Sequence, residues 1–181
     1  IAKNWCVKKK VSPNQVRYVE KGKTQQIGDF TVTPFAVPHD SSDCVGYCVQ
    51  CEGITFTLVT DCGHVTEEIC AFVAKANYLV IEANHEVEKL MAGPYPLYLK
   101  ERITSQIGHL SNAECARTIV ENATENLKHV WLCHLSDENN HPELARIAVT
   151  SLMESYGLRA GVDFIVEVLR RKIPSEIYDL K

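Results

Sequence analysis

Five short strings in this chain carry the residue types of hydrolytic metal chemistry. They are Pro38-His39-Asp40, Thr60-Asp61-Cys62-Gly63, Glu82-Ala83-Asn84-His85, Gly108-His109-Leu110-Ser111 and Cys133-His134-Leu135-Ser136. Each is expected at the end of a strand or in the loop after it. A sheet places residues far apart in sequence on one rim, where imidazole and carboxylate groups can hold a divalent cation and activate water. Taken singly the strings are weak. A lone His after a strand is usually a hydrogen-bonded loop residue, and an Asp followed closely by Gly is usually a turn. Glu82 is harder to dismiss, because a carboxylate leaving a buried apolar strand needs a partner to offset its desolvation. The repetition carries the argument: independent turns would not repeat one pattern of strand, then acid or His.

The elements that must position these groups can be read from periodicity and end signals. Val16 and Tyr18 alternate weakly over 15–19, which suggests a strand. Phe30 to Val37 is a better one, and Pro34 inside it suggests an edge position. Residues 46–50 and 54–60 flank Glu52-Gly53 as a hairpin, and the second strand runs into Asp61. Thr66 caps a helix reaching Ala76, with Glu67 and Glu68 at its positive end. Tyr78 to Ile81 is a buried strand delivering Glu82. Residues 86–103 look helical but break at Gly93-Pro94-Tyr95-Pro96. Ser111-Asn112-Ala113-Glu114 is a capping box, opening a helix with Ala116, Ile119, Val120 and Ala123 on one face. Its start, just after His109, would offer amides to a phosphate. Val130 to Cys133 is a strand ending on His134. Pro142 opens a helix whose apolar stripe is Leu144, Ile147, Ala148 and Leu152, and Gly157 stops it. Asp163 to Leu169 is a last strand. Strands alternating with helices after residue 60 predict a layered α/β fold with its site at the carboxyl ends of the strands.

With 181 residues the chain fits a single domain, 1–181, able to bury a real core. At 45% hydrophobic and 23% charged it has globular composition. No apolar run approaches the roughly 18–20 residues of a membrane span. The start, Ile1-Ala2-Lys3-Asn4-Trp5-Cys6, lacks the apolar stretch of a secretory signal, so a cytoplasmic location and reduced thiols are expected. The missing initiator Met hints at a start inside a longer protein. A net charge of −4 argues against non-specific coating of nucleic acid. The runs Lys8-Lys9-Lys10 and Arg170-Arg171-Lys172 are compatible with phosphate contacts without implying them. Cys48-Val49-Gln50-Cys51 has half the spacing of a zinc knuckle. On a strand the two thiols point to opposite faces, which disfavours structural zinc.

Together these strings resemble the metallo-β-lactamase superfamily. Pro38-His39-Asp40 with Val45-Gly46-Tyr47 resembles the third metal motif of its phosphodiesterases, Thr60-Asp61-Cys62-Gly63 the bridging-aspartate motif, and Cys133-His134-Leu135-Ser136 the last metal motif. Ile81-Glu82-Ala83-Asn84 and Gly108-His109-Leu110-Ser111 resemble paired motifs of the branch that contains the tRNA 3′-processing endonucleases. The fuller strings, with Tyr95-Pro96 and Leu99-Lys100-Glu101-Arg102-Ile103, resemble the WalJ/YycJ-type hydrolases, bacterial DNA exonucleases. The resemblance runs from about residue 16 to the end of the chain.

It implies an α/β fold of the αβ/βα sandwich type, present as its C-terminal part: a mixed sheet with flanking helices. It implies two divalent ions, Zn²⁺ or Mn²⁺, sharing Asp61, with His39 completing one metal's shell and His134 the other's. His109 would stabilise or protonate the departing oxygen while Glu82 holds its ring, and His85 would be a supporting or substrate residue. His64 would be a supporting or solvated residue. The implied reaction is phosphodiester hydrolysis at DNA ends. Hydrolysis of a carbon ester, thioester or lactam is the alternative on the same fold, and a non-catalytic half-domain the alternative outside enzymes. One departure is plain: the family's earlier His-x-His-x-Asp-His cluster, which supplies most of its ligands, is absent here. The first half was removed or belongs to another chain, metal binding by this chain should be weak and partial, and an exposed half-fold surface should drive self-association.

Overall fold

The computed structural model describes residue 9 and residues 11–181. The first residues of the chain and most of the Lys8-Lys9-Lys10 run therefore lie outside the described residues. Seven strands form one mixed sheet in sequential order: β1 (Gln25–Ile27), β2 (Phe30–Ala36), β3 (Val45–Cys51), β4 (Ile54–Val59), β5 (Tyr78–Glu82), β6 (His129–Cys133) and β7 (Ile165–Val168). Pairing is antiparallel from β1 to β4 and parallel from β4 to β7.

The antiparallel part is built by tight turns. Glu52 and Gly53 have φ of 49° and 79°, the two left-handed residues of a hairpin turn that matches strand twist. Pro34 sits in β2, which has neighbours on both sides, so the expected edge placement holds only locally. Its carbonyl accepts from Gly22 N–H. Its missing N–H would face the same side, where β1 has already ended at Gln25↔Val32. The expected strand over 15–19 does not form. A 3₁₀ turn at Pro13–Gln15 precedes irregular chain, and the short β1 makes the pairing instead.

Helices join the parallel strands: α1 (Glu67–Lys75), α2 (Val87–Ala92), α3 (Leu97–Ile103), α4 (Asn112–Asn122) and α5 (Pro142–Ser155). The caps are those the sequence predicts. Thr66 accepts from Ile69 N–H, Ser111 and Glu114 form a full capping box, and Pro142 lies in the first turn of α5. Gly157, at φ 76°, ends α5.

α1, α4 and α5 form one layer on one face of the sheet. Ile69, Val73, Ile119, Val149 and Met153 meet Val59, Leu79, Ile81, Val130 and Leu132 in a single buried cluster. Of the expected α5 stripe, Ala148 and Leu152 pack against the core, whereas Leu144 and Ile147 face solvent and Ala145, Val149 and Met153 form the buried row. All of these fit a helical period, and docking against α4 selects which row faces inward. The opposite face carries Phe56, Tyr78, Val80, His129 and Trp131, and the chain after β7 crosses it. Tyr178 packs edge-on against His129 and Trp131. No helix among the described residues is long and apolar enough to cross a membrane.

Candidate metal centre

The parallel register sets the ends of three strands level: Val59 pairs with Ile81, and Glu82 with Cys133. Asp61 and His134 follow directly, at one rim. Both adopt left-handed backbone, φ 53° and 55°. Asp and His adopt this conformation more readily than most residues with a side chain, and such positions gather at functional sites.

Asp61 is the hub. Its Oδ1 lies 3.4 Å from Nδ1 of His134, and 3.9 Å from both Nε2 of His39 and Nδ1 of His109. Three imidazoles thus gather around one half-exposed carboxylate oxygen, bringing together the residue types that hold a divalent cation. Beneath it Glu82 is fully buried. Its Oε1 accepts from Nδ1 of His109 at 2.7 Å and from Nδ1 of His134 at 2.6 Å, and its Oε2 accepts from Cys62 N–H at 2.8 Å. Burial alone would raise the Glu82 pKa, but the His109 and His134 hydrogen bonds outweigh it and hold the carboxyl below its ordinary range. The bond to Glu82 in turn raises the His134 pKa, against the opposing effect of its desolvation. With both Nδ1 atoms held, Nε2 is the free ring nitrogen of His109 and of His134. His39 is fixed similarly, Nδ1 donating to the Gly108 carbonyl at 2.9 Å, so its Nε2 faces the rim.

The structure thus gathers His39, Asp61, Glu82, His109 and His134. Glu82 bridges both His109 and His134, a link the sequence does not predict. His85 lies apart from the rim, 2% exposed, with no hydrogen-bond partner for its Nδ1. Burial lowers its pKa, partly countered by Glu114 and Glu82. Nδ1 of His64 points to the Gln106 carbonyl at 2.7 Å.

Two expectations need correction. His109 does not follow a strand; it ends the loop after α3. That loop is clamped at both sides of the rim by Asp40 N–H to Ile107, by His39 to Gly108 and by His64 to Gln106. Gly63 and Gly108 permit the approach. A Cβ on Gly63 would stand 2.5 Å from the backbone of Gln106, Ile107 and Gly108, and one on Gly108 2.2 Å from the Ile103 carbonyl. The start of α4 is also not an open phosphate cradle. Ser111 N–H donates to Glu114, Asn112 N–H to the His85 carbonyl, and Glu114 N–H to Ser111 Oγ.

Sequence reasoning missed the buried amides behind the rim. Asn112 and Asn140 exchange side-chain hydrogen bonds of 2.9 and 2.8 Å, Asn140 also donates to the Ala83 carbonyl, and Asn84 donates to the His134 carbonyl at 2.9 Å. Asn112 and Asn84 stand inside the strings quoted above. Asn140 carries no local signal. Arg102 grips Asp40 through both carboxylate oxygens, tying α3 to the loop of His39.

Comparison with known proteins gives a consistent picture. Residues 2–134 match a family described as a beta-lactamase superfamily domain. The chain is 35% identical over 156 residues to exodeoxyribonuclease YycJ of Bacillus anthracis, covering 86% of this chain and 59% of that protein. It is 38% identical over 157 residues to exodeoxyribonuclease WalJ of Streptococcus pneumoniae, covering 87% and 58%. The chain therefore spans about three fifths of the length of these relatives. Among solved structures it resembles the metallo-beta-lactamase fold protein YhfI of Bacillus subtilis, with TM-score 0.60, 16% identity, and coverage of 84% of this chain and 52% of that one. It also resembles Zn²⁺-bound PqqB of Methylobacterium extorquens, with TM-score 0.54, 18% identity, and coverage of 83% and 49%.

Proposed function

This chain belongs to the beta-lactamase superfamily and has the metallo-β-lactamase fold, and on that premise we propose that it supplies the C-terminal part of a metal-dependent phosphodiesterase acting on DNA ends. The observation that carries this reading is the Glu82–His109 pair set against Asp61. A hydrolase of activated acyl bonds has less need of a positioned imidazole for its leaving group than one expelling an alkoxide from phosphorus. The names of the two exodeoxyribonuclease relatives support the same substrate class.

On this reading residues 1–181 act as one domain. The chain's donors fit a divalent metal in type: His39, whose Nε2 lies 3.9 Å from the Asp61 carboxylate, would hold it at one side, and Asp61 with His134, whose Nε2 is left free by the Glu82 bond, at the other. Three donors leave a dinuclear shell incomplete, so the remaining ligands come from polypeptide carrying the His-x-His-x-Asp-His string. Zn²⁺ and Mn²⁺ both suit imidazole with carboxylate. When bound, the metal supplies Lewis-acid stabilisation of phosphoryl charge and activates water. His109 holds a proton at Nε2 and delivers it to the departing oxygen. Glu82, ionised and buried, keeps that ring oriented and stabilises its cationic form. His85, buried and pairing its backbone with the Ser111 segment that opens α4, is a supporting residue and not a substrate contact.

The test is an end-trimming assay on 5′-phosphorylated duplex DNA with Mn²⁺ or Zn²⁺. The chain is assayed alone and joined to the segment encoded upstream, which should carry His-x-His-x-Asp-His within roughly 80 residues, the scale of a half-domain. The joined protein should cleave DNA and the chain alone should be feeble. A joined protein that hydrolyses esters or lactams but no phosphodiester would overturn the reading.

A further inference from the structure

Cys44 lies on the loop between β2 and β3, the same loop that carries His39. One ligand atom each from Cys44, His39 and Asp61 all fall within 4.8 Å of one another. Cys44 is half-buried, and its Sγ is 2.8 Å from Ser41 Oγ. The Ser41 hydroxyl can donate to this sulfur and hold it in place. The other described cysteines belong to no such group. Cys62 and Cys133 are pushed up to about 12 by burial and by the charge of Glu82, and Cys115 is buried in the core.

We propose that Cys44 is a thiolate ligand that joins His39 and Asp61 in holding a metal ion, making this end of the rim selective for zinc over manganese. The inference rests on the metal reading of His39 and Asp61 given above. Imidazole, carboxylate and thiolate with one open position are a donor set typical of zinc, whereas thiolate is a poor partner for Mn²⁺. Binding releases the Cys44 thiol proton to solvent as the metal–sulfur bond forms. Cys44 thus adds a third donor from this chain at this end of the rim, beside those that the His-x-His-x-Asp-His string would supply.

The test uses the full 181-residue chain with Co²⁺ as a spectroscopic substitute for zinc, alongside calorimetric titration with Zn²⁺ and Mn²⁺. The wild-type chain should show a near-ultraviolet sulfur-to-cobalt charge-transfer band that is lost in Cys44→Ser and in His39→Ala. Cys44→Ser keeps a hydroxyl able to bond Ser41, and its melting temperature reports that the loop is intact. It should weaken Zn²⁺ binding by more than the roughly 10–100-fold typical of residues behind a ligand, and leave Mn²⁺ binding unchanged. Cobalt binding that depends on Asp61 but shows no charge-transfer band, or a band that persists in Cys44→Ser, overturns the role of Cys44 and leaves the centre standing. Cobalt binding indifferent to Asp61→Asn, or no uptake at all, overturns the centre and this inference with it.

Discussion

At the scale of single residues, Glu82 and Asp61 divide one task. Asp61 faces the rim and can share its charge with cations. Glu82 is sealed below, and every hydrogen bond it accepts fixes a neighbour: the rings of His109 and His134 and the amide of Cys62. Asp61→Asn keeps the left-handed backbone, which Asn tolerates, and removes the charge. It should abolish metal uptake, measured by elemental analysis, with an unchanged melt. Asp61→Ala should lose the metal too and add about 1–2 kcal/mol of backbone strain. In the joined protein His109→Ala should keep its metal while turnover of DNA falls roughly 10²–10⁴-fold. Bis-p-nitrophenyl phosphate, whose leaving group needs little protonation, should suffer least. Equal losses on both substrates, or an emptied site, would remove His109 from the leaving-group role. Glu82→Gln should impair both rings that Glu82 holds. It should therefore cost metal affinity as well as turnover, each by about 10–100-fold.

At the scale of elements, the site depends on three loops locked edge to edge. The segment from Ile103 to His109 is pressed between the loops after β2 and β4; Gly63 lies against its backbone at Gln106–Gly108, and Gly108 folds back onto Arg102 and Ile103. Gly108→Ala places a methyl 2.2 Å from the Ile103 carbonyl and 2.3 Å from that of Arg102. Both are backbone, so the loop must shift and carry His109 away from Glu82. A loss of roughly 1–3 kcal/mol is expected from overpacking, read as a drop of about 2–4 °C in melting temperature per kcal/mol at this size. A Gly108→Ala chain that melts like wild type would contradict the clamp. Behind the loops, Asn140→Ala would strand the buried Asn112 Oδ1 and the Ala83 carbonyl. A cost of about 1–3 kcal/mol for each unpaired group follows, measurable by urea denaturation.

At the scale of the whole molecule, the sheet is covered unequally. One face is closed by α1, α4 and α5. The other is crossed by the chain after β7, where Tyr178 leans on Trp131 and Tyr78 Oη donates to the Lys181 carbonyl at 2.7 Å. Phe56, Val80, Trp131, Leu169 and Leu180 still line an apolar cavity of about 260 Å³ on this side, and Ile173 and Ile177 are exposed. The chain is therefore expected to self-associate through this face. Sedimentation should show oligomers that grow with concentration, and Tyr178→Ala should strengthen association while red-shifting tryptophan emission. A stable monomer at all concentrations would count against it. Metal stoichiometry belongs to this scale as well: elemental analysis should find at most one ion per chain, and two tightly held ions would require ligands outside those described.

What could be read directly from the sequence was whatever neighbouring residues decide. The caps at Thr66 and Ser111, the Glu52-Gly53 turn, the stop at Gly157 and the donors near strand ends all depend on hydrogen bonds and backbone preferences within a few residues. The same locality explains the errors. The row of α5 that turns inward was settled by α4, and the weak alternation at Val16 and Tyr18 found no partner strand. Convergence lay beyond local signals. Parallel register had to level Glu82 with Cys133 before one carboxylate could hold His109 and His134 together. A loop leaving α3 had to fold back across two others to bring His109 in. The left-handed turns at Asp61 and His134 and the Asn112–Asn140 lock exist because residues 20 to 70 positions apart are forced into contact, and only the packed sheet forces them.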